Sequence, residues 1–296
     1  MNPARLRILT LFRRVLVALV SAIAVWTVIL MIFEDKFIYF PSKYPEGYYG
    51  DAQRIPGLQE CWITTEDGVR LHAWFAPAES ARATLVISHG NAGNISHRSD
   101  IMVRLQRTGF HVLMYDYRGY GKSEGSPGEE GVYKDGRAAF DYAVSLPGVD
   151  PKRIVLWGTS LGGAVAVDVA TQRPAAALIL ESTFTSAREM ARILYPILPA
   201  QFLIRSKFNS IDKIRRLTIP ILVMHGDQDS IIPFKLGKKL FDAAPAPKEF
   251  YEIIGADHND TYFVGGREYL DRALSFVERE VIRPNRPTLR EPESIR

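Results

Sequence analysis

The chain has 296 residues, 47% hydrophobic and 24% charged, enough for a substantial core and incompatible with intrinsic disorder. A single cysteine, Cys61, excludes an internal disulfide framework and zinc sites built on two or more cysteines. The net charge of +4 arises in the first 33 residues, which carry Arg5, Arg7, Arg13 and Arg14 and no acid; the remainder is neutral, so no nucleic-acid partner is expected.

Residues 15–33 form an uncharged run interrupted only by Ser21 and Thr27. At about 1.5 Å per residue this run nearly crosses a hydrocarbon core of about 30 Å. The basic stretch 1–14 precedes it, so the positive-inside bias predicts a cytoplasmic N-terminus, a transmembrane anchor over 15–33 and everything beyond on the far side. Ala22-Ile23-Ala24 has the form of a signal cleavage site, but the apolar run continues past it, which favours an uncleaved anchor. Residues 34–57 read as an aromatic juxtamembrane linker. Phe37, Tyr39, Phe40, Tyr44, Tyr48 and Tyr49 suit either an interfacial belt or packing on the domain that follows.

One domain is expected over 58–282. Short apolar runs at 61–64, 69–75, 84–88, 111–115, 153–157, 177–180, 219–224 and 249–254 predict eight strands, the first two joined at Asp67-Gly68. Helical patterns at 101–107, 132–145, 161–172, 234–243 and 261–281 lie between most of them. This alternation predicts an α/β fold with an eight-stranded, mostly parallel sheet covered by helices on both faces. Residues 283–296, with Pro284, Pro287 and Pro292, read as a flexible tail.

Two segments match G-x-S-x-G. Gly121-Lys122-Ser123-Glu124-Gly125 leads into Ser126-Pro127-Gly128, which cannot open a helix cleanly. Gly158-Thr159-Ser160-Leu161-Gly162 follows an apolar strand and precedes a small-residue helix, the strand–turn–helix that a nucleophile elbow requires. Ser160 is therefore the candidate nucleophile. The Leu161 N–H at the helix start is one candidate oxyanion donor. Asn91, in the glycine-containing loop 88–94, supplies the second. Lys122-Ser123 is not the end of a P-loop, because Asp116 stands where that motif needs its first glycine.

A serine hydroxyl needs a base, and of the six histidines only His258 follows the last strand and precedes the final helix. The loop after the seventh strand offers Asp229 and Asp227 as the acid, with Asp229 preferred. No dense metal-ligand spacing occurs, and a triad accounts for the same loops, so neither metal nor cofactor is expected. Between the sixth and seventh strands, 184–213 is rich in apolar residues broken by Pro196 and Pro199 and reads as a small lid.

Together, HGNAGN (89–94), DYRGYGKSEG (116–125), GTSLGG (158–163), HGDQD (225–229) and DHND (257–260) resemble the serine-dependent α/β-hydrolases over about 58–282. The pattern is most similar to the small membrane-associated ABHD-type branch, which includes protein depalmitoylases and lysophospholipid hydrolases. The resemblance implies an α/β-hydrolase fold with Ser160, Asp229 and His258 as triad, Asn91 and Leu161 as oxyanion donors, and Asp116 and Arg118 in supporting roles. The expected activity is hydrolysis of an acyl ester or thioester substrate at a membrane. A peptidase or amidase on the same triad, and a non-catalytic membrane-tethered binding module, are the alternatives.

Overall fold

The computed structural model describes residues 3–196 and 200–284. Its central sheet has eight strands: β1 (Gln59–Thr64), β2 (Arg70–Ala76), β3 (Thr84–Ser88), β4 (His111–Tyr115), β5 (Ile154–Thr159), β6 (Ala177–Glu181), β7 (Ile221–Gly226) and β8 (Lys248–Ile253). Their spatial order is β8-β7-β6-β5-β3-β4-β2-β1. The β1–β2 and β2–β4 pairs are antiparallel and all others parallel. The expected antiparallel hairpin at one edge is thus present.

Alternation within the strands divides the interior in two. Val86, Leu156, Leu178 and Val223 face a core closed by helices α4 (Glu129–Ser145), α5 (Leu161–Ala170) and α9 (Phe234–Ala243). Leu85, Trp157, Ile179 and Leu222 face the opposite core, closed by α3 (Ser99–Arg107) and α10 (Thr261–Val277). Strands buried on both faces cannot alternate polar with apolar, which is why they appear as unbroken apolar runs. The final helix breaks inside the expected span: Gly266 has φ +53° within α10, and a short π-helical turn covers Glu278–Ile282.

The N-terminal helix is longer than the expected anchor. α1 runs over Pro3–Ile32, so the basic stretch is helical as well. Its stretch Arg7–Ile29 is long and apolar enough to cross a membrane, and none of it is buried within the protein. A break at Phe33 leads into α2 (Glu34–Ile38).

From here the chain does not hang as a free tether. Glu34 and Tyr39 are buried. The Phe40 N–H donates to Asn91 O at 2.9 Å and the Ser42 N–H to Gly93 O at 3.1 Å, a two-residue parallel pairing with the loop after β3. Phe37, Phe40, Tyr44 and Tyr48 remain exposed, Tyr39 is buried in the domain, and half-buried Tyr49 packs edge-on against Trp74.

The lid segment contains α6 (Ala187–Leu194), α7 (Ala200–Leu203) and α8 (Ser210–Ile214). Ile197, Leu198 and Pro199 of the expected lid, and residues 285–296 of the expected tail, lie outside the described residues.

Candidate active site

β5 ends against the start of α5 in a turn that only small residues permit. A Cβ at Gly162 would collide with the Ser88 carbonyl, and one at Gly163 with the Thr183 side chain. Ser160, at the turn, has φ +55°, a conformation costing about 1–3 kcal/mol in a non-glycine residue. Its backbone is fixed on both sides: the N–H donates to Glu181 O at 2.9 Å, and Thr183 Oγ1 donates to Ser160 O at 2.7 Å. The hydroxyl is thereby held above the C-terminal edge of the sheet, where ligands of open α/β folds bind.

His258 Nε2 is 3.1 Å from Ser160 Oγ, and His258 Nδ1 is 2.8 Å from Asp229 Oδ2. All three residues are buried. The carboxylate requires the proton on Nδ1, which leaves Nε2 free to accept the serine proton. Asp229 Oδ1 accepts the N–H groups of Ile231 at 3.0 Å and Ile232 at 2.7 Å. Burial raises the Asp229 pKa, but hydrogen bonds from His225 and His258 outweigh it and hold the carboxyl well below the usual carboxylate range. Asp227, the other candidate acid, turns away, and its Oδ1 accepts the Gly255 N–H at 2.6 Å.

The loops carrying Asp229 and His258 are tied together. Asp257 accepts both the Ser230 N–H and the His258 N–H at 2.7 Å. Beneath them, Glu181 gathers Thr159 at 3.0 Å, Thr261 at 2.6 Å and Tyr269 at 2.8 Å. That buried carboxylate links the serine strand to the helix that follows His258.

The other sequence candidates also have defined places. Leu161 opens α5, so its N–H has no acceptor within the helix. Asn91 belongs to the loop after β3 and lines the same pocket as Ser160 and Leu161. Its carbonyl accepts from Tyr120 Oη at 2.7 Å, and its Nδ2 donates to Ile38 O at 2.9 Å. Arg98 braces this loop through the carbonyls of Ala92 at 2.8 Å and Asn94 at 2.7 Å. Ser123 has no histidine base: it accepts the His72 N–H and donates to Asp116 O, both at 2.8 Å. Asp116 accepts the Ile95 N–H at 2.9 Å, and Arg118 pairs with Asp135 and Asp67. Among the described residues no cluster of histidine, cysteine and acidic groups is arranged to hold a metal.

His225 is a contact that sequence reasoning passed over. It is buried at the end of β7, with Nε2 2.9 Å from Ile232 O and 3.2 Å from Asp229 Oδ2. Nε2 therefore carries the proton, shared between the Ile232 carbonyl and Asp229 Oδ2, the carboxylate oxygen that also accepts from His258. Its position four residues before Asp229 was the available signal.

Above Ser160 is a cavity of about 210 Å³. Met190 and Leu194 of α6, Leu203 of α7 and Ile232 line it, together with Thr27 and Met31 of α1. The participation of α1 was not expected from the sequence.

The family described as serine aminopeptidase, S33, matches residues 79–213. An uncharacterised protein of Mycobacterium tuberculosis is 39% identical over 246 residues, spanning 82% of this chain and 87% of its own. The alpha/beta hydrolase domain-containing protein WAV2 of Arabidopsis thaliana is 36% identical over 275 residues, with 85% and 89% covered. The human alpha/beta hydrolase domain-containing protein 17B is 35% identical over 226 residues, with 75% and 76% covered. Among solved structures, an esterase of Pyrococcus furiosus superposes with a TM-score of 0.68 at 20% identity, over 82% of this chain and 99% of that one. Fold, length and sequence agree: the chain belongs to the α/β-hydrolase family, in the branch of the alpha/beta hydrolase domain-containing proteins.

Proposed function

We propose that the protein is a membrane-anchored serine hydrolase that cleaves carboxylic ester or thioester bonds of acyl-bearing substrates through an acyl-enzyme. The observation that carries this reading is the relay of Ser160 Oγ, His258 Nε2 and Asp229 Oδ2, at 3.1 and 2.8 Å, under an apolar cavity. Ser160 Oγ attacks the substrate carbonyl carbon while its proton passes to His258 Nε2. The negative charge forms on the carbonyl oxygen, where the N–H groups of Asn91 and Leu161 receive it. The carbon–oxygen or carbon–sulfur bond then breaks, and the leaving group takes the proton from His258. Water attacks the acyl-enzyme by the same route, with His258 as base, and releases the acid and free Ser160. Asp229 stabilises the imidazolium in both steps without itself taking a proton.

The apolar stretch of α1 and the four arginines within that helix support an anchor with a cytoplasmic N-terminus and the catalytic domain on the other side.

The serine aminopeptidase match favours a second reading, amide cleavage. An aminopeptidase needs an acid to hold the substrate's terminal amine. Glu34 is the carboxylate that lines the cavity, and its oxygens accept the backbone N–H groups of Arg205 at 2.8 Å and Ser206 at 2.7 Å. This supports the ester or thioester.

The test is the full-length chain and Ser160→Ala on p-nitrophenyl esters from C2 to C16 and on matched p-nitroanilides. Turnover of the esters by the wild type alone is expected. Preference for the anilides would replace the reading with an amidase, and no turnover of either by a folded wild type would overturn it.

A further inference from the structure

The membrane-spanning helix is itself a wall of the catalytic pocket. Thr27 and Met31 of α1 and Glu34 and Ile38 of α2 all line the cavity that contains Ser160. Within α1, Thr27 and Met31 are four apart and share a face; within α2, Glu34, Phe37 and Ile38 do the same. The apolar span ends at Ile29, which puts Thr27 and Met31 on either side of that end. The α1 side of the cavity wall therefore lies where the chain leaves the bilayer. The wall is fixed in place, because buried Glu34 accepts two backbone N–H groups from the segment that follows α7. Arg205 Nε also lies 3.4 Å from Oε2, so the Glu34 charge is partly balanced within the protein.

The size of the cavity limits what it can enclose. At about 210 Å³ it exceeds the ~150 Å³ that holds a benzene-sized guest but falls below the ~300–1,000 Å³ of sites that engulf drug-sized ligands. A long acyl chain cannot be swallowed whole. With its carbonyl at Ser160, a long chain has methylenes left over, and on the α1 side Met31 is exposed and Ile23, one turn before Thr27, continues the same face with exposed apolar surface.

We infer that the site takes a single unbranched acyl chain from a bilayer-resident ester or thioester, entering sideways along α1, with the anchor forming part of the acyl-binding site. This rests on the membrane-anchored hydrolase reading above. The chemistry recognised is the chain and its carbonyl, whether the head is a lysophospholipid or an acylated peptide.

The test uses the full-length chain in phosphatidylcholine vesicles, with 4-methylumbelliferyl esters of C2, C8 and C16. Met31→Trp and Thr27→Trp narrow the α1 side of the cavity, and Met31→Ala widens it. Fluorophosphonate labelling counts the active sites in every sample. The expected result is a fall of at least tenfold in the C16-to-C2 ratio of kcat/KM for both tryptophan variants, and a ratio at or above wild type for Met31→Ala. A ratio within twofold of wild type in all three, with wild-type turnover intact, overturns the inference and leaves the hydrolase reading standing. A folded wild type that turns over no ester overturns both. A palmitoyl lysophospholipid and an S-palmitoyl peptide in the same vesicles distinguish the two heads; resistance of both to a wild type active on the C16 ester also overturns the inference.

Discussion

Replacing Asp229 with asparagine tests the relay at its most informative point. Oδ1 is held by the Ile231 and Ile232 N–H groups at 3.0 and 2.7 Å, so the amide of Asp229→Asn keeps its oxygen there. Its NH₂ then occupies the place of Oδ2, which now accepts from His258 Nδ1 at 2.8 Å and faces His225 Nε2 at 3.2 Å. An NH₂ donates, so His258 Nδ1 must become an acceptor and the proton moves to Nε2. That proton points at Ser160 Oγ, 3.1 Å away, and the base is lost. Side-chain volume and position barely change. A wrong tautomer of this kind lowers kcat by about 10⁴-fold, or about 5 kcal/mol at ~1.36 kcal/mol per factor of ten. KM stays close to wild type, because Asp229 does not line the cavity. The assay is p-nitrophenyl butyrate hydrolysis by the full chain, with circular dichroism to show that both proteins fold. Asp227→Asn is the control and retains activity within about threefold, since Asp227 bonds Gly255 rather than His258. An Asp229→Asn variant within tenfold of wild type, or an equal loss in Asp227→Asn, would refute the assignment.

Other consequences follow from the same contacts. His225→Phe removes the Nε2–H shared between Ile232 O and the Asp229 carboxylate, a contact worth up to about 1.5–3 kcal/mol, and is expected to lower kcat by about ten- to a hundredfold with little change in KM; partial recovery in His225→Gln separates positioning from packing. Glu34→Ala leaves the Arg205 and Ser206 N–H groups without their acceptor, an expected cost of about 1–3 kcal/mol, visible as a lower melting temperature and faster proteolysis near residue 205. Burial raises the Glu34 pKa, but hydrogen bonds from Ser206 and Arg205 bring it below its ordinary value. Its stabilising effect is therefore fully present above the ordinary glutamate range and lost as pH falls through the folded value, so the difference in melting temperature between wild type and Glu34→Gln should shrink on acidification from pH 6 to pH 3. Gly162→Ala forces a methyl group into the Ser88 carbonyl and is expected to cost several kcal/mol, read as loss of soluble protein or a collapse of the melting temperature.

The parts of the fold that were legible in the sequence are those with a local signature. Strands buried on both faces appear as unbroken apolar runs, and the glycines around Ser160 mark a backbone approach that no Cβ allows. His258 and Asp229 could be proposed from their places after the last two strands, because chain order in a doubly wound sheet fixes which loops meet above it. What stayed hidden was polar and long-range. Glu34 meets Ser206 across 172 positions, and Arg118 joins Asp67 and Asp135 across 51 and 17. Such pairs leave no periodic trace, since any surface charge reads the same until its partner is known. The role of α1 was hidden for a related reason. An apolar run long enough to span a bilayer is apolar all round, so Thr27 and Met31 give no sign of facing a pocket. His225 was masked by its own strand, where a histidine before a glycine reads as a terminus rather than as a second donor to the acid.

The central claim is that Ser160 is a nucleophile activated by His258 and Asp229. The most direct measurement is reaction of the full-length protein with a fluorophosphonate, followed by mass spectrometry of the labelled peptide. The account predicts one adduct per chain on Ser160, formed more slowly while an excess of acyl ester is present and absent in Ser160→Ala and His258→Ala. Labelling that persists in Ser160→Ala, or an adduct that maps to Ser123 or another serine, would contradict it.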